Sequence, residues 1–420
     1  MFTIHDPITD EEQDILERRY LAARIFNRLT DDACPGVIGI YGGWGTGKTS
    51  LLHLIQQKWK NSGDKTIQIE YIDAWNYEGS ATLFVPVIVR TMSKRVSLVP
   101  EWSEYFARIS RMALYLGSDV VLRALTGGIN LDDLNKYKAD MAATGLNPVS
   151  LLDWEELTDK VAETQTTFQK LIQKTNQKEK SKRVIFLIDN LDRCSPENAV
   201  ALLESIKNFL AIDGCTWIFA MDSGVIASYI NRKYEGTTMD GNSYLDKIIP
   251  EQYHLSFFPN ENDSRIYKLI RSATGGELTL SDWKRLPLIP YVIVPRRLKK
   301  SAVRFAECFS GLDPRTAEPD VVFLLSLLYH TWPEFYSRLS STSLKHVGGI
   351  LAHFFNNEKP EDRGGQWGNY SPLPLDNKFF DNQDLIQFLQ TAFPNAKAEP
   401  EKVVNSIKNA MSALRQVGLP

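Results

Sequence analysis

Residues 42–49 read Gly42-Gly43-Trp44-Gly45-Thr46-Gly47-Lys48-Thr49 and match G-x-x-x-x-G-K-[ST]. This pattern constrains the fold because it works only between a strand and a helix. Both flanks supply that context. Residues 36–41 form a short apolar run that suits a strand buried on both faces. Residues 49–59 place Leu51, Leu52, Leu54 and Ile55 along one side, as in a helix. Glycines let backbone amides turn inward around a phosphate, and the helix N-terminus adds oriented N–H groups. Lys48 is expected to reach the β- and γ-phosphates of ATP, and the Thr49 hydroxyl to ligate Mg²⁺. Gly42, Gly43, Trp44, Gly45, Thr46, Gly47 and Ser50 complete the expected nucleotide-binding set.

A second apolar run, Val184-Ile185-Phe186-Leu187-Ile188-Asp189, ends in an acid. A carboxylate at the end of a buried strand lies at the sheet edge beside the phosphate loop, so Asp189 is the expected metal partner of Thr49. Further strand patterns occupy residues 65–75, 215–222 and 252–258. Helical patterns separate them: one over 11–30, another over 196–210 with Ser195 as N-cap and Pro196 at the first helical position. Alternating strands and helices predict an α/β fold with about five parallel strands.

The 420 residues exceed what such a core needs. The expected division is a core of 1–79 and 183–262, a helical insertion of 80–182, a helical lid region of 263–356, and a C-terminal loop and helical segment of 357–420. The polar, basic tract 169–183 reads as a solvated helix end or linker. Residues 112–125 are the nearest thing to a membrane segment, but Asp119 and Arg123 interrupt them, so no membrane span is expected. Cys34, Cys194, Cys215 and Cys308 form no CxxC pair, which suits a reducing cytoplasm. A formal charge of -3 argues against a protein whose main task is coating nucleic acid.

Taken in order, G-G-W-G-T-G-K-T, Y-I-D-A-W-N-Y, I-D-N-L-D-R-C-S-P, a strand ending A-M-D, and Y-L-D-K-I-I-P resemble the KAP family of P-loop NTPases. The resemblance runs from residue 16 to about 258. It implies a P-loop NTPase fold of the ASCE type, distantly akin to AAA+ and STAND proteins, and a link to antiphage defence in bacteria. Many members carry membrane helices in the insertion; this insertion shows no convincing one. Two positions depart from the family's common pattern. D-D-L-D-R becomes Asp189-Asn190-Leu191-Asp192-Arg193, and N-A-W becomes Asp73-Ala74-Trp75. In related ATPases the residue after the metal acid often activates water, and an amide cannot take that proton. Either Asp192 serves as the base, or hydrolysis is slow.

Other residues carry competing readings. Asp222 is a γ-phosphate sensor or a structural strand-end acid. Arg193 is expected to pair locally with Asp192 in preference to reaching a neighbouring subunit's nucleotide. Arg296 and Arg297 open a basic helix that resembles a lid arginine site; a solvated face or a phosphate-backbone patch are the alternatives. Cys194, Trp75 and Tyr77 are expected to pack in the core. His346 and His353 share a helical spacing without a third metal ligand. The combined expectation is an ATP- and Mg²⁺-dependent switch or assembly subunit. It would form homo-oligomers and act on a separate effector or sensor protein. The alternatives are a structural ATP module without turnover and a nucleic-acid-stimulated motor.

Overall fold

The computed structural model describes residues 16–78, 180–205, 212–255, 294–309, 317–341, 381–393 and 399–419, with isolated positions between them. The insertion expected over 80–182 lies almost wholly outside these residues, as do His346, His353 and the apolar stretch 112–125. Backbone contacts divide the chain into two compact units. One comprises Pro7–Trp44 and Lys48–Leu255; the other comprises Ser256–Pro420, with Met1–Asp6 and Gly45–Gly47 grouped to it.

The first unit is an open parallel sheet. Its elements run α1 (Arg18–Thr30), β1 (Val37–Tyr41), α2 (Lys48–Ser62), β2 (Ile67–Asp73), β3 (Arg183–Asp189), α3 (Pro196–Ser205), β4 (Cys215–Met221), α4 (Ser223–Lys233), α5 (Gly241–Ile248) and β5 (Glu251–His254). The strands are ordered β2-β3-β4-β1-β5, and every pairing is parallel. Strand β4 therefore sits between the strand that feeds the phosphate loop and the strand that ends at Asp189.

The period-two alternation of the strands builds a core on each face. Val37 and Tyr41 of β1, Phe186 and Ile188 of β3, and Trp217 and Phe219 of β4 pack with α3, α4 and α5. Ile38 and Ile40, Ile185 and Leu187, and Ile218 and Ala220 face the other way, onto α1 and α2. Phe186 stacks on Trp217 with ring centroids 4.3 Å apart. The four residues that the spacing assigns to one side of α2, Leu51, Leu52, Leu54 and Ile55, are all buried.

Helix α1 starts later than the periodicity predicts. Glu17 takes a left-handed backbone, φ 58°, and the helix runs only from Arg18. Such a residue breaks the helical path. The Asp14 carboxylate accepts the Arg19 N–H at 2.7 Å and satisfies one of the first free amides.

Among its described residues the second unit is helical: α6 (Pro295–Phe309), α7 (Pro319–Thr331), α8 (Pro333–Ser341), α9 (Gln383–Ala392) and α10 (Pro400–Gln416). Helix α7 is buried nearly all round, from Val321 to Leu328, which marks it as the core helix. Phe323 of α7 meets Phe305 of α6 edge-on, and the Ser326 hydroxyl donates to the Ser301 carbonyl. Among the described residues no helix is long and apolar enough to cross a membrane.

Candidate nucleotide site

The site gathers at the C-terminal ends of β1, β2, β3 and β4. Gly45 and Gly47 take φ of 85° and 98°, a region closed to most side chains. Lys48 is buried at the start of α2. Its Nζ donates to the Gly42 carbonyl at 2.7 Å and the Gly43 carbonyl at 3.3 Å. It also lies 3.3 Å from Asp192 Oδ2.

Thr49, next on α2, sets its hydroxyl beside the Asp189 carboxylate, where it favours the anion. Tyr71 OH donates to Asp189 Oδ2 at 3.0 Å, and the Asn190 N–H donates to Oδ1 at 2.9 Å. Burial pushes the Asp189 carboxyl above the usual range, and these three donors oppose that shift by stabilising the anion. Burial, then the negative Asp189, push the Tyr71 phenol up, so it stays a donor. The sequence reading missed Tyr71. Its only advance signal is its place on β2, two residues before Asp73, which is the register partner of Asp189. His53, one helical turn beyond Thr49, tilts against Tyr71 with centroids 5.3 Å apart. Burial lowers the His53 pKa and favours its neutral form.

Asn190 also takes a left-handed backbone, φ 59°. Its Nδ2 donates to Asp73 Oδ1 at 3.1 Å. The same Asp73 oxygen accepts the Trp75 N–H and starts the short 3-10 turn over Ala74–Tyr77. Asp192 is only 4% exposed. Its Oδ2 holds Lys48 and also accepts the Asp222 N–H at 3.1 Å.

Arg193 does not make the local pair with Asp192 that the sequence suggested, because Lys48 takes that carboxylate. Its guanidinium lies instead over two indoles, 5.7 Å from the Trp44 centroid and 5.4 Å from the Trp75 centroid. Trp75 is correspondingly not a core residue: it is 52% exposed, and Trp44 is 60% exposed. Tyr77 is half-buried and does pack against the core. Asp222 caps α4, accepting the Gly224 and Val225 N–H groups at 3.1 and 3.4 Å. Ser50 accepts the Ile8 N–H at 3.2 Å, which ties the N-terminal segment to α2.

The loop after Asp189 is clamped from the far side. Glu78 Oε1 accepts the Ser195 N–H at 2.9 Å and the Asn198 side-chain amide at 3.5 Å, at the start of α3. Cys194 is buried beside it, and burial pushes its thiol up, so it is a packing residue. Arg296 and Arg297 occupy the first turn of α6 in the second unit.

The motif order is matched by a family comparison. The model of the KAP family P-loop domain covers residues 21–316. The chain belongs to the KAP family of P-loop NTPases. It is 23% identical over 274 residues to the Phage T7 exclusion protein of Escherichia coli (strain K12), covering 58% of this chain and 34% of that protein. It is 29% identical over 107 residues to the Kinase D-interacting substrate of 220 kDa of Rattus norvegicus, covering 24% of this chain and 6% of that protein. The chain thus spans far less than two thirds of either relative. A solved structure of the Aeropyrum pernix ORC2 protein, described as ADPNP-ADP complexes, aligns over 90% of this chain and 94% of that one. The identity is 14% and the TM-score 0.33, a likeness that carries no argument.

A KAP NTPase site must accept phosphates and, usually, Mg²⁺. The residues fit both. The left-handed glycines open the loop, and among the described residues Lys48 has two loop carbonyls and one carboxylate to leave. The Thr49 hydroxyl and Asp189 carboxylate are already adjacent, as a hard cation with oxygen ligands needs. Among the described residues no three His, Cys, Asp or Glu cluster as a metal site. A Mg²⁺ held here would therefore take its remaining ligands from phosphate and water.

Proposed function

We propose that the chain binds ATP with Mg²⁺ and hydrolyses it slowly, as the switching or assembly subunit of a larger system. The observation that carries this reading is the Thr49 hydroxyl beside the Asp189 carboxylate, next to a buried Lys48. The end of β3 and the start of α2 thus meet across an intervening strand. Lys48 would leave Asp192 for the β- and γ-phosphates, while the loop amides and the α2 N-terminus hold the rest of the triphosphate. Bound Mg²⁺ would neutralise charge on the phosphates. Arg296 and Arg297 would serve as lid arginines, in the same subunit or a neighbouring one of a homo-oligomer.

The name of the Escherichia coli relative, a phage exclusion protein, supports a role in antiphage defence. The proposal adds a separate effector or sensor protein as partner and the cytoplasm as location. Asn190 favours a second reading, in which ATP is a structural ligand without turnover. A nucleic-acid-stimulated motor is the weakest reading, given a formal charge of -3.

Calorimetry with ATP, with and without Mg²⁺, on wild type and Asp189→Asn tests the site. Mg²⁺ should tighten ATP binding to wild type by about tenfold or more and have little effect on the variant. Equal Mg²⁺ dependence in both would remove Asp189 from the metal site.

A further inference from the structure

We propose that Asp73, on the neighbouring strand, is the carboxylate that activates water, and that Asn190 orients it. The inference rests on the reading that ATP is hydrolysed. Four carboxylates lie at this sheet edge. Asp222 caps α4 through Oδ1, and two others are buried and committed. Asp189 is fully buried and receives Thr49, Tyr71 and the Asn190 N–H. Asp192 is buried, with one oxygen shared between Lys48 and the Asp222 N–H. Asp73 is only half-buried. Its Oδ1 accepts from Trp75 and Asn190, and its Oδ2 has no hydrogen-bond partner among the described residues. A general base needs an accessible lone pair and a fixed orientation, and Asp73 has both.

The acid at 73 and the amide at 190 are in contact, Asn190 Nδ2 donating to Asp73 Oδ1 at 3.1 Å. Asp73 is also the register partner of Asp189. Asn190 spends its amide N–H on Asp73, which leaves its carbonyl oxygen to accept a hydrogen from water. In the proposed step the water oxygen bonds to the γ-phosphorus while its proton passes to Asp73 Oδ2. The bond between the γ-phosphorus and the β–γ bridging oxygen breaks, releasing ADP and phosphate. Asp73 then returns the proton to solvent.

The test compares the full chain as wild type, Asp73→Asn, Asn190→Asp and the double variant, by phosphate release and by calorimetric ATP binding. Asp73→Asn should lower phosphate release about 100-fold or more while ATP affinity stays within about threefold. The double variant exchanges the two hydrogen-bonded side chains, returns a carboxylate to the pair and should recover to within about tenfold of wild type. Undiminished release from Asp73→Asn, or a double variant as inactive as the single one, would overturn the assignment. Wild type that binds ATP without releasing phosphate overturns it too, but leaves the nucleotide reading standing; wild type that binds no ATP overturns both. If Asp73→Asn fails to fold, Asp73→Ser keeps a cap for the Trp75 N–H and carries the same expectation.

Discussion

Lys48 Nζ and Asp192 Oδ2 lie 3.3 Å apart although 144 residues separate them in sequence. The pair satisfies a buried ammonium whose other partners among the described residues are loop carbonyls. A triphosphate must therefore compete with Asp192 for the lysine. Asp192→Asn should leave ATP affinity equal or raise it by up to about tenfold, and Lys48→Ala should lower it by at least about tenfold. Calorimetry on both variants checks this; weaker ATP binding by Asp192→Asn would mean that the carboxylate helps to hold nucleotide.

Gly47 separates backbone conformation from space. A Cβ there would meet nothing within 4 Å, but φ is 98°. Gly47→Ala should thus be strained without a clash, with a stability loss of about 1–2 kcal/mol in denaturant unfolding. A variant of unchanged stability would show that the loop readily takes another path.

The Trp44–Arg193–Trp75 stack is exposed, so its contribution should be small and pairwise. A double-mutant cycle of Arg193→Ala and Trp75→Ala should give a coupling of about 0.5–1 kcal/mol. Coupling indistinguishable from zero would mean that the guanidinium and the indole are neighbours without mutual stabilisation.

In the second unit, His330 is depressed to about 4, first by burial and then by Lys300 and Arg304. Its Nε2 is buried without a hydrogen-bond partner among the described residues. The folded pKa lies below the unfolded value, so the unfolded chain binds the proton first as pH falls. Stability is full above about pH 6.5 and is lost progressively towards pH 4, by roughly 2–3 kcal/mol from this group. His330→Gln should flatten that part of a stability–pH profile; an unchanged slope would assign the acid sensitivity elsewhere.

Much of the first unit was legible because its signals are local. The phosphate loop, the acid ending β3 and the buried side of α2 each follow from a few consecutive residues. The strand order was not legible, since nothing in 215–222 says that β4 inserts between β1 and β3. Side-chain partners across the sheet edge were equally hidden. Asp192 meets Lys48, Asn190 meets Asp73 and Tyr71 meets Asp189 only after three strands have aligned. Trp75 misled for a related reason. An aromatic residue after a buried strand usually packs inward, but a cation and a second indole hold this one at the surface.

Glu78 gives the long segment between β2 and β3 a mechanical address. The chain leaves β2 through this residue, and its carboxylate holds the first turn of α3, two residues beyond Arg193. Any force that moves the start of that segment must either carry the α3 N-terminus with it or break the cap. Load arriving from outside the sheet thus reaches the loop after Asp189 along one short lever of covalent and hydrogen bonds, without passing through the core.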